Sequence, residues 1–393
     1  MNKAILNKDV QEFIRRNINT DITRISLSKS PFLEISSKEL AEQIDGKRRC
    51  EKKLPLWFNT NNIYYPQKLA IEQCSSEAAA KYKSTLLFGD KIIDLTGGFG
   101  VDSYFFSEKA KNIIQCEINK ELSDISRHNS TVLGANINYI CTDGIEYLKT
   151  SIEAFDTIYV DPSRRISLRK VFFLKDCDPD VFRNKDLLLK KSSRLLIKTA
   201  PLLDIQSTIK ELQQVTQVHI ISIKNECKEV LYVIDEAFSE TDPPILCVVL
   251  TDAENLTFKF RFSEEKEFYL DTYSAPLNYL YEPDVALLKA GCFKLITKKF
   301  DVKKIHQHTH LYTSEELTKN FIGRKFKIIT TWDYGTFLKE QKFTKANIIC
   351  RNFPLDPAQI RKKLKIEDGG EMYLLFCTGS KNELLVIYCE RIL

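Results

Sequence analysis

The residues best suited to chemistry begin with Ile92-Ile93-Asp94-Leu95-Thr96-Gly97-Gly98-Phe99-Gly100-Val101-Asp102, an apolar run that enters a glycine-rich turn and then a helical pattern. Glycines let the backbone take positive φ and come within contact distance of a ligand, and the helix that follows turns unpaired N–H groups toward it. Alone, such a loop fits an ordinary strand-to-helix turn equally well. Three further acidic residues change the reading. Glu117 closes the apolar run 112–116, Asp143-Gly144 closes 137–141, and Asp161-Pro162-Ser163-Arg164-Arg165 closes 156–160. A carboxylate at Glu117 can accept hydrogen bonds from both ribose hydroxyls of a nucleoside, and one at Asp143 can hold an adenine amino group. Ser103 stands where G-x-G-x-x-G would place its third glycine, which favours a mononucleoside-like ligand over a dinucleotide.

These residues need a scaffold that brings strand ends together. The runs at 91–95, 112–116, 137–141, 156–160 and 194–199 alternate with stretches of helical length, the rhythm of a parallel sheet covered by helices. In such a sheet the carboxyl ends of the strands line one edge, where ligands bind. The runs 217–223 and 229–235 are only five residues apart, too close for a crossover, so they must pair antiparallel. A nicotinamide-binding sheet would be parallel throughout, so the reversed strand argues against one. Residues 1–88 read as helical, with Ser36 and Glu39 at capping-box spacing. Thr241-Asp242-Pro243-Pro244 marks a boundary, after which strands at 245–250 and 256–262 resume without the helix rhythm. A helix around 284–290, a strand region to about Thr330, helix 357–364, a Gly369-Gly370 turn and strands 371–377 and 384–389 make a small α+β region.

Composition sets outer limits. With 393 residues, 43% hydrophobic and 28% charged, the chain is too apolar to be disordered and long enough for more than one core. Its longest apolar runs, Ile245 to Leu250 among them, are far short of a membrane helix, and no signal-peptide stretch opens it, so a cytoplasmic protein with no membrane partner is expected. The eleven cysteines lie at least twelve positions apart, which suggests neither a metal clip nor a disulfide framework. The net charge of +5 is uneven: Lys289 to Thr330 holds ten Lys or Arg against three Asp or Glu, and Arg361-Lys362-Lys363-Leu364-Lys365 adds a second basic run.

Asp94-x-Thr96-x-Gly98-x-Gly100, Glu117, Asp143 and Asp161-Pro162 resemble, in order and spacing, the S-adenosylmethionine motifs of class I methyltransferases. Within that superfamily the chain resembles the bacterial RNA-methyltransferase-like proteins with a C-terminal THUMP-like domain. Glu72-Gln73-Cys74-Ser75-Ser76-Glu77, Lys198-Thr199-Ala200-Pro201-Leu202-Leu203, Tyr281-Glu282-Pro283-Asp284 with Lys289-Ala290-Gly291, and Arg361-Lys362-Lys363-Leu364 with Asp368-Gly369-Gly370 carry the likeness beyond the core motifs. The resemblance implies a Rossmann-like α/β fold, a seven-stranded sheet with its last strand antiparallel. It also implies four segments: a helical region 1–88, a cofactor-binding domain 89–240, a linker with a ferredoxin-like insert 241–315, and a THUMP-like domain 316–393.

By the same resemblance the cofactor is S-adenosylmethionine, held by Asp94, Thr96, Gly97, Gly98, Gly100, Asp102, Glu117, Asp143 and Gly144. Gln73 and Ser75 either close over its methionine end or form a plain helix junction. Asp161 and Pro162 would accept hydrogen bonds from the target amine, with Arg164 catalytic beside them. Ser163 and Arg165 would touch substrate, though the arginine pair could equally contact cofactor. Amine methyltransferases usually carry an aromatic ring where this chain has Arg164, so stacking on a flipped base would fall to a guanidinium. Methylation at a pyrimidine carbon would need a nucleophilic cysteine, which Lys198-Thr199-Ala200-Pro201 does not offer. The expected activity is methylation of a base in ribosomal or transfer RNA. The alternatives are a methyltransferase for a protein or small molecule, and a non-catalytic RNA-binding protein on a vestigial fold.

Three weaker signals have more than one reading each. His306, His308 and His310 alternate, which on a strand puts all three on one side, as a polar face, an RNA contact or, with ligands from elsewhere, a metal site; no metal is expected. Trp57, Phe58, Tyr64 and Tyr65 either stack on bases or fill a core. The basic stretches 294–304 and 319–327 either track a phosphate backbone or are simply solvated.

Overall fold

The structure, a computed structural model, describes residues 1–164, 174–235, 241–340 and 343–392. The chain divides into two compact units, Met1–Thr216 with Leu231–Thr241, and Gln217–Val230 with Asp242–Leu393.

Up to Ser84 the first unit holds helices and turns. Ser36 starts helix Ser37–Lys53 with the expected reciprocal cap: its hydroxyl accepts from Glu39 N at 3.2 Å, and the Glu39 carboxylate accepts from Ser36 N at 2.8 Å. Trp57, Tyr64 and Tyr65 are buried, and the Tyr65 hydroxyl donates to Trp57 O at 3.0 Å, so these aromatics are core rather than a stacking surface.

The large sheet contains β1 (Lys91–Asp94), β2 (Asn112–Cys116), β3 (Asn138–Ile140), β4 (Phe155–Val160), β5 (Ser192–Thr199), β6 (Val215–Ile223), β7 (Glu226–Asp235), β8 (Ile245–Leu250) and β9 (Leu256–Phe260). Its strand order is β3-β2-β1-β4-β5-β7-β6-β8-β9. The pairs β1–β2, β2–β3, β1–β4 and β4–β5 are parallel. Ile92, Ile93, Ile158, Val160, Leu195, Leu196 and Ile197 are buried, as strands covered on both faces require. Lys224 and Asn225, with φ of 52° and 60°, form the two-residue turn that reverses β7 against β6. The expectation of seven strands is exceeded by two. β8 adds parallel to β6 and β9 antiparallel to β8, so the chain past Pro244 extends this sheet before the second one starts.

In the second unit, β10 (Tyr279–Pro283), β11 (Lys303–Lys304), β12 (Tyr312–Ser314), β13 (Gly323–Asp333), β14 (Asn347–Arg351), β15 (Met372–Thr378) and β16 (Leu384–Ile392) form one sheet in the order β11-β12-β10-β13-β16-β15-β14. Only β14–β15 is parallel among its registered pairs. Glu282 on β10 is 1% exposed and neutralised by Arg324 on β13 and Arg351 on β14, a buried carboxylate between two guanidinium groups.

Candidate active site

Strand register brings the four carboxylates to one edge of the parallel strands. Asp94 lies opposite Gln115 of β2 and Tyr159 of β4. Glu117 and Asp161, each two residues beyond those partners, therefore leave the sheet beside it. Cys116 lies opposite Ile140 of β3, which puts Asp143 at the same edge.

The glycine loop is pinned across this edge. Gly97 N donates to Cys116 O at 2.9 Å and Gly98 N to a Glu117 carboxylate oxygen at 2.8 Å. Gly98 and Gly100 take φ of 55° and 80°, which a residue with a Cβ adopts only with strain. A Cβ on Gly97 would sit 2.2 Å from the Gln115 side chain, whereas one on Gly98 meets nothing nearer than Thr96 O at 3.8 Å. The loop is thus packed on its Gly97 side and open on its Gly98 side. Gln115 beneath it is fully buried, and both polar atoms of its amide lack a hydrogen-bond partner among the described residues.

Asp94 itself is closed off. Its carboxylate accepts from Ser103 Oγ at 2.6 Å and Thr96 N at 3.0 Å, so it shapes the loop from below. Burial raises its pKa to about 7 against those hydrogen bonds, and the charges of Asp102 and Asp161 add to the rise. Ser103, the residue that breaks the dinucleotide fingerprint, is here the donor that anchors Asp94.

Asp102 heads helix Val101–Ser107 and is buried in a polar cluster. It forms an ion pair with Lys83 at 2.9 Å and accepts from Ser75 Oγ at 2.8 Å and Tyr159 OH at 3.0 Å. Lys83 is fully buried and also donates to Ser75 Oγ at 2.5 Å. Burial alone would lift the Asp102 pKa, but Lys83 and then Lys198 reverse this and hold it below the ordinary value.

Asp161 is paired with Lys198, at the end of β5, and its backbone N–H donates to Thr96 Oγ1 at 2.7 Å. Thr96 thereby ties the loop after β1 to the end of β4. Pro162 is buried. Ser163 is exposed and, with Arg164, forms a two-residue ribbon against Cys177–Asp178. Arg165 lies outside the described residues.

Glu117 accepts from Gly98 N and, through its other oxygen, from Asn119 N at 2.8 Å, which leaves each oxygen one free lone pair. Asp143 is exposed and caps helix Gly144–Thr150 with one oxygen, leaving the other free. A Cβ on Gly144 would lie 2.5 Å from Leu95 O, so this glycine is needed for packing under the loop. Gln73 is exposed at the end of helix Lys68–Gln73, and Ser75 is the buried partner of Asp102; the segment is a helix junction.

Four residues that sequence reasoning did not place in the site belong to it: Lys83, Tyr159, Lys198 and Ile118. Lys83 interrupts a small-residue helix pattern after Ala78-Ala79-Ala80, and Lys198 follows the buried run Leu195-Leu196-Ile197; a cation in such a place needs a partner. Ile118, 72% exposed directly after Glu117, gives the edge an apolar wall. The edge can therefore take a nucleoside, with carboxylates for its hydroxyls and amino group and an apolar face for its base.

The three histidines do not share a strand face. Residues 305–311 form an irregular loop, in which the His306 and His308 rings lie 5.7 Å apart while His310 stacks on Phe293 at 3.6 Å. Among the described residues no three His, Cys, Asp or Glu side chains converge as metal ligands.

Comparison with known proteins adds three findings. Residues 279–321 match a ferredoxin-like domain family, and residues 323–391 match a THUMP domain-like family. A crystal structure from Porphyromonas gingivalis W83, designated a methyltransferase, superposes with a TM-score of 0.88 and 31% identity over 100% of this chain and 99% of its own. An uncharacterized RNA methyltransferase of Mycoplasma mobile is 35% identical over 159 residues, 36% of this chain; the match spans 43% of that relative's length.

Proposed function

The chain belongs to the methyltransferase family of the Porphyromonas gingivalis protein, and on that premise we propose that it moves a methyl group from S-adenosylmethionine to a base in structured ribosomal or transfer RNA. The observation that carries the reading is the set of carboxylates Glu117, Asp143 and Asp161 around the open face of Gly98. Glu117 would accept from the ribose hydroxyls through its free lone pairs, Asp143 from the adenine amine, and Ile118 would lie against the adenine ring. The open Gly98 face leaves space where such a cofactor would sit.

When bound, S-adenosylmethionine supplies a methyl group already activated by its sulfonium. The chain's work is therefore alignment and charge stabilisation. Asp161 accepts a hydrogen bond from the target N–H, which points the nitrogen lone pair along the line of displacement. Positive charge would grow on that nitrogen as the N–C bond formed and the sulfur–methyl bond broke, and Asp161 would stabilise it. Lys198 fixes the orientation of the Asp161 carboxylate through the ion pair. The amine proton then leaves toward Asp161 or water.

Support for RNA as the target comes from the THUMP-like match, the RNA methyltransferase designation of the Mycoplasma relative and the basic stretch 289–330. Purified protein is to be incubated with methyl-labelled S-adenosylmethionine and with RNA and protein from cells lacking the gene. Label in RNA that is lost with Asp161→Ala supports the proposal. Label in protein alone refutes the RNA target, and absence of cofactor binding refutes the enzymatic reading.

A further inference from the structure

The second unit contains a cavity of about 490 Å³ walled by two stretches of chain, 268–274 and 297–304. The first runs without helix or strand; the second covers the end of helix Leu295–Phe300 and the short strand β11. The cavity is preformed. Ser274 N donates to Lys304 O at 3.0 Å, and Lys294 Nζ donates to Phe268 O at 2.5 Å and Lys266 O at 3.2 Å, so the irregular stretch is tied down at both ends. Glu265 accepts from Lys294 N at 2.8 Å and Leu295 N at 2.9 Å, which fixes the start of the helix.

Its chemistry is one-sided. The lining includes Lys298, Lys303 and Lys304 and no carboxylate, together with the rings of Phe268 and Tyr273 and the hydroxyls of Thr272, Ser274 and Thr297. Lys304 is buried and committed to Gln307 O, while Lys298 and Lys303 are exposed. The Lys298 ammonium lies 5.8 Å from the Phe268 ring centroid, so a cation and an aromatic face adjoin within the wall. A ligand that satisfies both needs an anionic group and a flat ring, with polar atoms between them for the hydroxyls. That is a nucleotide, and the volume falls within the range of sites for ligands of that size.

We propose that this cavity takes one unpaired nucleotide of the RNA, its base against Phe268 and Tyr273 and its phosphate against Lys298 and Lys303. The inference rests on the RNA reading above and deepens it: the substrate must offer a single-stranded nucleotide beside its structured part. Stacking on an aromatic ring is tolerant of base identity, so the contact positions the RNA and does not read its sequence.

The test uses the full chain and a fluorescent eight-nucleotide oligouridylate, with a duplex of the same length and free uridine monophosphate as competitors. Tyr273→Ala and the double variant Lys298→Glu/Lys303→Glu are each expected to raise the oligomer Kd about tenfold. The double variant should also make the salt dependence shallower by about 0.7 in log–log slope, the value for one phosphate. Affinity for S-adenosylmethionine and the circular dichroism spectrum serve as folding controls and stay as in the parent. Unchanged oligomer binding in both variants overturns the proposal while leaving the methyltransferase reading intact. Uridine monophosphate that binds as tightly as the oligomer overturns the assignment to RNA. A parent protein that binds no RNA and labels only protein overturns both, and the labelled fraction shows that the failure began with the RNA reading.

Discussion

Lys198 donates a charged hydrogen bond to the Asp161 carboxylate, and the same aspartate's backbone N–H is held by Thr96 Oγ1 at 2.7 Å. The carboxylate at the end of β4 is thus oriented from two sides, by the neighbouring strand β5 and by the loop after β1. A residue fixed in this way is suited to align a nucleophile.

Removing the ammonium should therefore affect rate more than cofactor affinity. Lys198→Met is expected to slow methyl transfer on the order of 10²-fold, with the dissociation constant for S-adenosylmethionine within about threefold of the parent. Asp161→Asn should give a similar loss, and the double variant little more than either single one, as for two groups acting as a unit. Single-turnover kinetics with equilibrium dialysis would decide; independent, multiplying losses would show that the pair does not act together.

The Lys83–Asp102 pair is the opposite case, a buried salt bridge that packs the loop. Breaking it leaves the Asp102 carboxylate buried without its ion-pair partner, so Lys83→Met should cost about 3–5 kcal/mol. The double variant Lys83→Met/Asp102→Asn should recover most of the loss, since neither charge then remains buried. Trp57 packs 5.1 Å from Tyr104 on the helix that carries Asp102, so urea unfolding followed by its emission in a Trp332→Phe background reports on this region. A double variant as unstable as Lys83→Met would rule the explanation out.

Adjacent glycines should respond differently to alanine. At Gly97 the new methyl would overlap the buried Gln115 side chain at 2.2 Å, so that side chain or the loop must shift. Gly97→Ala is expected to abolish cofactor binding. At Gly98 space is free and only the φ of 55° resists, a penalty of about 1 kcal/mol. Gly98→Ala should fold and bind more weakly, which isothermal titration would resolve; equal effects at both positions would contradict the packing argument.

How much of this was legible in the sequence follows from what each feature depends on. The alternation of apolar runs with helical stretches depends on local pattern, and β1 to β5 lie within one or two residues of their expected limits. The strand-end acids were legible because a carboxylate after a buried strand has few other reasons to be there. Lys83 and Lys198 were not placed in the site, because a lysine's partner is set by tertiary contact and neither Asp102 nor Asp161 is near its lysine in sequence. The histidine loop was misread for a related reason. Alternation at 306–310 mimics a strand, but His306 is held by Asn382 at 3.0 Å and His310 by the Phe293 ring, contacts that come from 76 and 17 residues away and override the local period. The two extra strands of the large sheet were seen as strands but not as its continuation, because which edge a strand joins depends on pairing rather than propensity.

Asp94 gives a prediction whose sign can be derived in full. Burial raises its pKa from 3.8 to about 7 in the folded chain, so below pH 4 the carboxyl is neutral in both folded and unfolded states and imposes no penalty. As pH rises toward 7 the unfolded chain releases this proton freely while the folded chain retains it, and stability is lost across that window. The step corresponds to on the order of 4 kcal/mol. Asp94→Asn removes the titration but keeps the shape. The stability of the variant relative to the parent should therefore climb between about pH 4 and pH 7 and level off above. Urea unfolding at half-unit pH steps would measure it. Parallel curves would mean that Ser103 Oγ and Thr96 N stabilise the carboxylate enough to offset its burial.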